Sequence, residues 1–299
     1  MHTATKKSNG TLLSPVVTPF FDEESNTFSY VVRDPSSNSC AVIDSVLDFD
    51  YASGSISYEG ANSIIKFVRE NGLVVEWIVE THVHADHISA GHYLRDKLGG
   101  KLAIGEHVKI VQEVFGGIYN TDNELAQGEI QFDHLFCDNE CYKIGNLEVR
   151  VIHTPGHTPA CMSHLMGDAL FIGDTMFLPD SGTARADFPG GDAKILYQSI
   201  HKLLSLPKDT RVFMCHDYGA EGRELEYETT IGEEYLHNIH IKESINEEEF
   251  VRMRTARDKT LGMPRLILPS LQINIRAGNF PSPENNDVVY LKIPINAFE

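Results

Sequence analysis

The residue types best suited to chemistry in this chain are histidines and aspartates that cluster at four places in the sequence. Residues 81–87 read THVHADH, which places three histidines and one aspartate close together. Three more candidates stand further along, in the segments TPGHTP, FIGDT and MCHDY. Imidazole nitrogens and carboxylate oxygens at such spacings suit one or two transition-metal ions. The predicted metal ligands are His82, His84, Asp86, His87, His157, Asp174 and His216.

A short apolar run, typical of a buried strand, stands before each of these segments. These runs are Leu73–Val79 before the histidine cluster, Leu147–Ile152 before His157, Ala169–Ile172 before Asp174, and Val212–Cys215 before His216. Residues two apart on an extended strand end point the same way, so His82 and His84 are expected to face the same space. Loops at strand ends commonly carry function in α/β proteins. We therefore expect the seven residues to meet at one edge of a sheet.

Strands and helices alternate through the chain up to about residue 220, which predicts an α/β fold. Further strands are expected at Phe28–Val32, Cys40–Ile43 and Leu102–Gly105, and helices at Tyr58–Asn71, Ile88–Leu98 and Ala193–Leu206. Nearer the C-terminus, the predicted helices are Glu221–Ile241 and Glu247–Lys259, and the predicted extended segments are Met263–Pro269 and Leu271–Ile275. We predict a catalytic domain over residues 11–220 and a C-terminal helical extension and tail over residues 221–299.

Composition and charge exclude several classes of function. The 299 residues are 41% hydrophobic and 23% charged, as in ordinary soluble proteins. The net charge of −18 argues against nucleic acid or an anionic membrane as the main partner, and a small anionic substrate would need local basic residues. No apolar run approaches the ~18–20 residues of a membrane span, and the N-terminal residues lack a signal-peptide stretch. Five cysteines without CxxC spacing favour free thiols, and the expected location is the cytoplasm.

The metal-ligand motifs resemble those of the metallo-β-lactamase family, whose fold is a four-layer αββα sandwich. The match covers roughly Val17–Tyr218 and rests on HxHxDH, TPGHT, GDT and the late HD-Y. The resemblance implies one metal on His82, His84 and His157, a second on Asp86, His87 and His216, and Asp174 as a bridge. This fold hosts many chemistries, so the resemblance leaves the reaction open.

A second resemblance narrows the choice of reaction. Residues 184–192 read ARADFPGGD and resemble the GRTDFQxGD stretch of persulfide dioxygenases, the ETHE1-like sulfur enzymes. Arg185, Asp187 and Phe188 match, whereas Ala184 and Ala186 stand where that family has Gly and Thr. The later stretch MRTARDKTLGMPRLILPS resembles a bacterial branch of β-lactamase-like hydrolases related to these dioxygenases.

For a persulfide dioxygenase, the resemblance implies a single Fe(II) on His82, His157 and Asp174, with three coordination positions open. The substrates would be O₂ and a small persulfide, usually that of glutathione, and the products sulfite and the parent thiol. The other four residues would surround the iron as a polar shell, namely His84, Asp86, His87 and His216.

The alternative is a glyoxalase II-like hydrolase. Two Zn²⁺ ions would activate a hydroxide, which attacks the thioester of an acyl-glutathione. Asp86 and His87, which are also candidates for direct catalytic roles, would then be zinc ligands. A third interpretation, a non-catalytic binding protein on this fold, is disfavoured because all seven residues are present.

Three residues are candidates for substrate binding. Arg185 offers a fork of donors suited to the glycine carboxylate of glutathione, and its alternative is an ion pair with Asp187. Tyr197 is a candidate for a hydrogen bond to the peptide portion, or else a packed core residue. Arg257 lies with Arg252 and Arg254 on the predicted C-terminal helix, the region that contacts glutathione in glyoxalase II-like proteins, and a solvated basic face is the alternative for at least two of the three. Asp44, which follows the predicted strand Cys40–Ile43, is expected to support the loop that carries the metal ligands of residues 82–87, and its alternative is an ordinary turn aspartate. The resemblance is compatible with a homodimer.

Overall fold

The computed structural model describes residues 14–121 and 131–297. The predicted domain start at residue 11, and most of the segment considered as a signal peptide, lie outside these ranges. The α-helices of the described chain are α1 (Glu59–Glu70), α2 (Gly91–Leu98), α3 (Val108–Tyr119), α4 (Ala193–Leu204), α5 (Ile231–His237), α6 (Glu247–Asp258) and α7 (Ile267–Asn274). None of them is long and apolar enough to cross a membrane. The cytoplasmic location and the homodimer stay predictions.

Two mixed sheets form the centre of the fold. In the first, the spatial order is β1 (Val16–Asp22), β2 (Thr27–Arg33), β3 (Ser39–Ile43), β6 (Val74–Val79), β8 (Lys101–Gly105) and β9 (His134–Phe136). In the second, the order follows the chain: β10 (Cys141–Ile144), β11 (Leu147–His153), β12 (Met162–Met166), β13 (Ala169–Phe171), β14 (Arg211–Phe213) and β15 (Glu228–Thr230). A smaller sheet joins β4 (Val46–Asp50) to β5 (Ser55–Ser57) and β7 (Ile88–Ser89).

Three apolar clusters show that these elements stack in four layers. Alternation along β2 sends Phe28, Tyr30 and Val32 into the cluster between the two sheets, while Val31 faces the opposite side. That opposite side packs against α1 to α3 and α7. The outer face of the second sheet packs against α4, α5 and α6. The predicted αββα sandwich is therefore confirmed, with apolar side chains of both sheets filling its middle.

Most predicted elements are present, with shifts of one to three residues at their ends. The predicted helix Tyr58–Asn71 is α1, whose Ile64, Ile65 and Val68 are buried in the first cluster as its periodicity indicates. The predicted helix Ile88–Leu98 starts late, because Ile88–Ser89 instead form β7 beside β4. The Glu221–Ile241 prediction is wrong over much of its length, since only α5 is an α-helix there.

The extended structure predicted for Leu271–Ile275, and for the end of Met263–Pro269, is also wrong, because α7 occupies Ile267–Asn274. Nearly all residues of α7 are buried, including polar ones. A helix that is buried on nearly all sides has no separate apolar and polar faces, so its sequence does not show apolar residues at helical spacing. In the predicted C-terminal extension, β15 pairs with β14 and so completes the second sheet. The domain boundary after residue 220 remains a prediction. β15 lies beyond this boundary but belongs to the same sheet as the strands that precede it.

Candidate metal centre

Four strand ends bring the predicted ligands together, and they belong to both sheets. The segment after β6 in the first sheet carries the histidine cluster, while β11, β13 and β14 of the second sheet lead to His157, Asp174 and His216. The expectation of one sheet edge was therefore too simple. Backbone hydrogen bonds join the sheets at this end, from Phe28 N to Cys215 O (2.8 Å) and from Met162 N to Thr81 O (2.9 Å).

His82, His157 and Asp174 form the first group of donors. Their ligand atoms all lie within 4.8 Å of one another, and all three residues are buried. Asp174 Oδ2 lies 3.9 Å from His82 Nε2 and 3.7 Å from His157 Nε2. Two imidazoles and one carboxylate on one side of a point can hold a single metal and leave its other side open.

A second group of donors lies beside the first. His84, Asp86 and His87 have donor atoms within 4.8 Å of one another. His216 Nε2 lies 3.1 Å from Asp86 Oδ2 and 3.3 Å from Asp174 Oδ1. Because Asp174 contacts residues of both groups, its carboxylate is placed where a bridge between two ions would be.

Hydrogen bonds behind the histidines orient the rings of this site. His157 Nδ1 donates to Arg185 O (2.8 Å), which leaves Nε2 with a free lone pair. His82 Nδ1 lies 3.0 Å from Thr81 Oγ1, whose hydroxyl donates to Asp44 Oδ2. Asp44 also accepts from His84 Nε2 at 3.0 Å. The prediction that Asp44 supports the ligand loop is confirmed.

The buried donor atoms left without partners fit a metal. His82 Nε2, His84 Nδ1 and His87 Nε2 are buried and have no hydrogen-bond partner among the described residues. An unsatisfied buried polar atom costs about 1–3 kcal/mol, and such atoms are uncommon in folded proteins. Several of them aimed at one place are therefore best explained by a bound cation. The residues present fit either one ion on the first group or two ions on both.

Burial and neighbouring charges set the protonation of the site. Burial, followed by the charge of His84, holds the pKa of His82 well below 6.5 and also lowers the pKa of His87. Burial would lower the pKa of His84 too, but the carboxylates of Asp44 and Glu80 raise it to about 10. A cation that binds His84 Nδ1 therefore displaces a proton, and its affinity falls as pH falls.

A cavity of about 670 Å³ opens over Asp86, His157 and Asp174. Its walls include the apolar side chains of Phe177, Phe188, Ile239 and Leu261. Four arginines line it as well: Arg185, Arg254, Arg257 and Arg265. This size and mixed lining suit a small organic molecule with an anionic part. Arg185, Arg254 and Arg265 are each paired with a carboxylate, which leaves Arg257 as the lining arginine that has no ion pair with a described residue.

The predicted substrate residues differ in their placement. Arg185 lines the cavity but already forms a bidentate ion pair with Asp187, at 2.6 and 2.9 Å, and donates to Gly262 O. Arg257 lines the cavity, is exposed, and forms no ion pair with any described residue. Tyr197 is not among the lining residues; its hydroxyl donates to Ile245 O and its ring packs on Phe250. Its position gives no support to a substrate contact.

Several residues of the site were not predicted from the sequence. Glu80 Oε2 lies 3.3 Å from His84 Nε2, so two carboxylates flank that ring. The cavity wall formed by Leu261, Gly262 and Arg265 comes from the stretch that resembles β-lactamase-like hydrolases, but these three residues were not predicted to line the site. Glu80 directly precedes the histidine cluster, so its position in the sequence was also a usable signal.

Comparisons with known proteins agree with this geometry. Residues 22–216 match the model of the Metallo-beta-lactamase superfamily. A "probable metallo-hydrolase" of Burkholderia pseudomallei is 51% identical over 93% of this chain and 98% of that protein. "Glyoxylase B2" of Dictyostelium discoideum is 49% identical over 93% of this chain and 96% of that protein. The crystal structure of ETHE1 from Myxococcus xanthus is 28% identical, with a TM-score of 0.71, and covers 88% of this chain and 100% of that one.

Proposed function

The chain belongs to the metallo-β-lactamase superfamily, and we propose that within it this protein is a persulfide dioxygenase. The proposal assigns one Fe(II) to His82, His157 and Asp174. Its substrates are O₂ and the persulfide of a small anionic thiol of the glutathione type. Its products are sulfite and the thiol.

One observation carries this choice of reaction: the segment that resembles persulfide dioxygenases lies against His157. Arg185 O accepts the His157 Nδ1 proton, and the Phe188 ring meets the His157 ring edge-on at 5.4 Å. Gly191 must be glycine here, since a Cβ would lie 2.6 Å from Ala186 O and 3.0 Å from His157 O. Of the residues that match that family, Phe188 contacts the His157 ring through its side chain and Arg185 contacts it through its backbone carbonyl.

Two departures from the family pattern, Ala184 and Ala186, lie outside the triad, and a third residue, Pro189, stands where the pattern has Gln. Ala186 is buried in the cluster between the second sheet and its helices, so a small side chain there affects packing. Ala184 lines the cavity, where a methyl group in place of a hydrogen narrows the substrate space slightly. Neither change removes a group that the metal or its ligands use.

Fe(II) in this site would supply the electrons that let O₂ react with sulfur, a reaction otherwise blocked by spin. The overall change balances as persulfide plus O₂ plus water giving thiol plus sulfurous acid. The S–S bond breaks, and the outer sulfur is oxidised while O₂ is reduced. The protein's part is to present the terminal sulfur to the open side of the triad and to keep the rest of the substrate in the cavity.

Substrate recognition in this proposal falls to the cations of the cavity. Arg257 is the strongest candidate, because it is exposed to the cavity and has no competing carboxylate among the described residues. Arg265 pairs with Glu24 at 3.1 Å, and Arg185 with Asp187. A carboxylate of the substrate can bind Arg257 without first displacing another anion. Binding at Arg257 therefore costs less free energy than binding at an arginine that is already paired.

A glyoxalase II-like thioester hydrolase is the second candidate. It is favoured by the second donor group, in which His84 Nδ1 and His87 Nε2 are buried without partners. Two Zn²⁺ ions on both groups would use these atoms, and the relatives at 49–51% identity carry hydrolase and glyoxylase names. In this case Asp86 would be essential for metal binding.

The two candidates are separated by assaying one preparation with both substrates. We expect O₂ uptake with glutathione persulfide, with about one sulfite formed per O₂ consumed. Hydrolysis of an acyl-glutathione should be much slower. Rapid thioester hydrolysis without O₂ uptake would establish the second candidate and reject the first.

A further inference from the structure

We propose that Asn274, the last residue of α7, is a positioning residue that holds the ligand loop His84–Ser89 in its metal-binding shape. This inference goes beyond the proposed function, because it depends on the metal site of the superfamily and not on the reaction. It concerns a side chain almost 190 positions away from the loop in sequence.

The contacts of Asn274 are three hydrogen bonds to the backbone of this loop. Its Nδ2 group donates to His84 O and to His87 O, each at 2.8 Å. Its Oδ1 accepts from Ser89 N, also at 2.8 Å. Asn274 is 4% exposed, so water does not compete for these bonds. One amide group therefore satisfies three backbone groups of a single loop.

These contacts fix the relative placement of two donors of the second group. His84 and His87 stand on either side of Asp86, and both of their carbonyls bind the same nitrogen. The two N–H bonds of an amide are rigid and planar, so they set the separation of the carbonyls. Buried carbonyls that lost this partner would each be left unsatisfied, which favours a shift of the loop.

The support behind Asn274 is itself rigid. Leu271 and Ile273 of α7 are buried in the cluster under the first sheet. Gln112 Nε2 donates to Ile275 O at 2.8 Å. The chain then turns at Gly278 (φ +80°), where a Cβ would lie 2.9 Å from Ser89 O. The C-terminal segment thus approaches the ligand loop too closely to move independently of it.

A matched control exists on the same helix. Gln272 is also buried, and its side chain also makes three hydrogen bonds: to Leu268 O (2.8 Å), to Lys292 O (2.9 Å) and from Lys292 N (2.8 Å). Two of these bonds hold Lys292 of the C-terminal tail, one lies within α7, and none involves the ligand loop. Gln272→Ala therefore removes the same number of buried hydrogen bonds from α7 as Asn274→Ala.

The experiment compares Asn274→Ala, Asn274→Asp and Gln272→Ala in the full chain. Asn274→Asp is nearly isosteric and keeps the acceptor for Ser89 N, but turns a donor into an acceptor that faces two carbonyls. One measurement is amide hydrogen exchange of residues 84–90 in metal-free protein. The other is the rate at which Zn²⁺-loaded protein transfers its metal to a chromophoric chelator. Thermal unfolding of each variant gives the general loss of stability.

We expect both Asn274 variants to exchange faster in residues 84–90 and to release Zn²⁺ about 10-fold faster, the effect typical of a lost outer partner of a metal ligand. Gln272→Ala should lower the unfolding temperature similarly and change neither readout. If Gln272→Ala changed amide exchange and Zn²⁺ release as much as Asn274→Ala, the effect of Asn274 would be one of general packing, and the proposal would be overturned. Faster exchange with unchanged Zn²⁺ release would overturn it too. Neither readout uses O₂ or a persulfide, so failure here is separate from failure of the proposed reaction.

Discussion

Replacing Asp44 with Asn tests the support beneath the ligand loop. Asp44 is 3% exposed and accepts from Thr81 N (2.7 Å), Thr81 Oγ1 (2.9 Å) and His84 Nε2 (3.0 Å). Its backbone lies in the left-handed region at φ 48°, which Asn adopts more readily than most residues. Asp44→Asn therefore removes the charge while keeping the shape and the backbone conformation.

The pKa of Asp44 gives the size of the effect. Burial would raise this pKa, but His84 and the Thr81 backbone lower it from 3.8 to about 2. A depression of the pKa of this size corresponds to ~2 kcal/mol of stability. Because the folded pKa is depressed, this contribution is present above pH 3.8 and is lost as pH falls through about 2. We expect Asp44→Asn to lose roughly 2 kcal/mol at pH 7 in the metal-free protein.

Urea unfolding at pH 7 measures that loss, and the transfer of Zn²⁺ to a chelator measures the effect on the metal. Release should be about 10–100-fold faster in Asp44→Asn, as for other lost partners of ligating histidines. Asp34→Asn is the control: Asp34 is also fully buried, but it binds Ser36, Ser37 and Asn146 instead. If Asp44→Asn changed neither the stability nor the rate of Zn²⁺ release, the proposed role of Asp44 would be refuted. Equal rates of Zn²⁺ release from Asp44→Asn and Asp34→Asn would also refute it.

Three further predictions follow from single residues. Asp86→Ala should retain iron on the triad and lose any two-zinc occupancy, as measured by metal content; loss of all iron would contradict the one-metal assignment. Arg257→Ala should raise KM for glutathione persulfide about 5-fold, for an exposed contact of ~1 kcal/mol, and leave kcat nearly unchanged. Arg252→Ala, outside the cavity on the same helix, should change neither, and equal effects would reject the assignment. Burial raises the pKa of Glu234 from 4.5 to about 8, so its ionisation destabilises the fold as pH rises between these values. Glu234→Gln should be more stable than the parent at pH 8 and similar to it at pH 4 in urea unfolding, and a parent whose stability is flat with pH would argue against this.

The candidate metal donors and their position at strand ends could be predicted from the sequence, because the residue types and the apolar runs before them are local features. Histidines and aspartates stood directly after apolar runs, and strand ends bring such residues together. The arrangement of strand ends from two different sheets around the site could not be predicted from the sequence. It depends on contacts such as Phe28 N to Cys215 O, between residues far apart in the chain.

The C-terminal region shows where sequence patterns were insufficient. Leu271 and Ile273 lie in a helix buried on nearly all sides, which removes the periodicity that identifies helices. Arg265 and Leu261 line the cavity from the stretch that resembles β-lactamase-like hydrolases, but that resemblance did not indicate which of its residues face the cavity. Asn274 resembles any other polar residue in sequence, since its role depends on a loop almost 190 positions earlier.

The central claim is that a single iron on His82, His157 and Asp174 carries the reaction. The most direct measurement reconstitutes metal-free protein anaerobically with Fe(II) or Zn²⁺, then determines bound metal per chain and O₂ uptake with glutathione persulfide. We expect about one iron per chain, with O₂ uptake in the iron form only. Two zinc ions per chain, acyl-glutathione hydrolysis in the zinc form and no O₂ uptake in either form would contradict it.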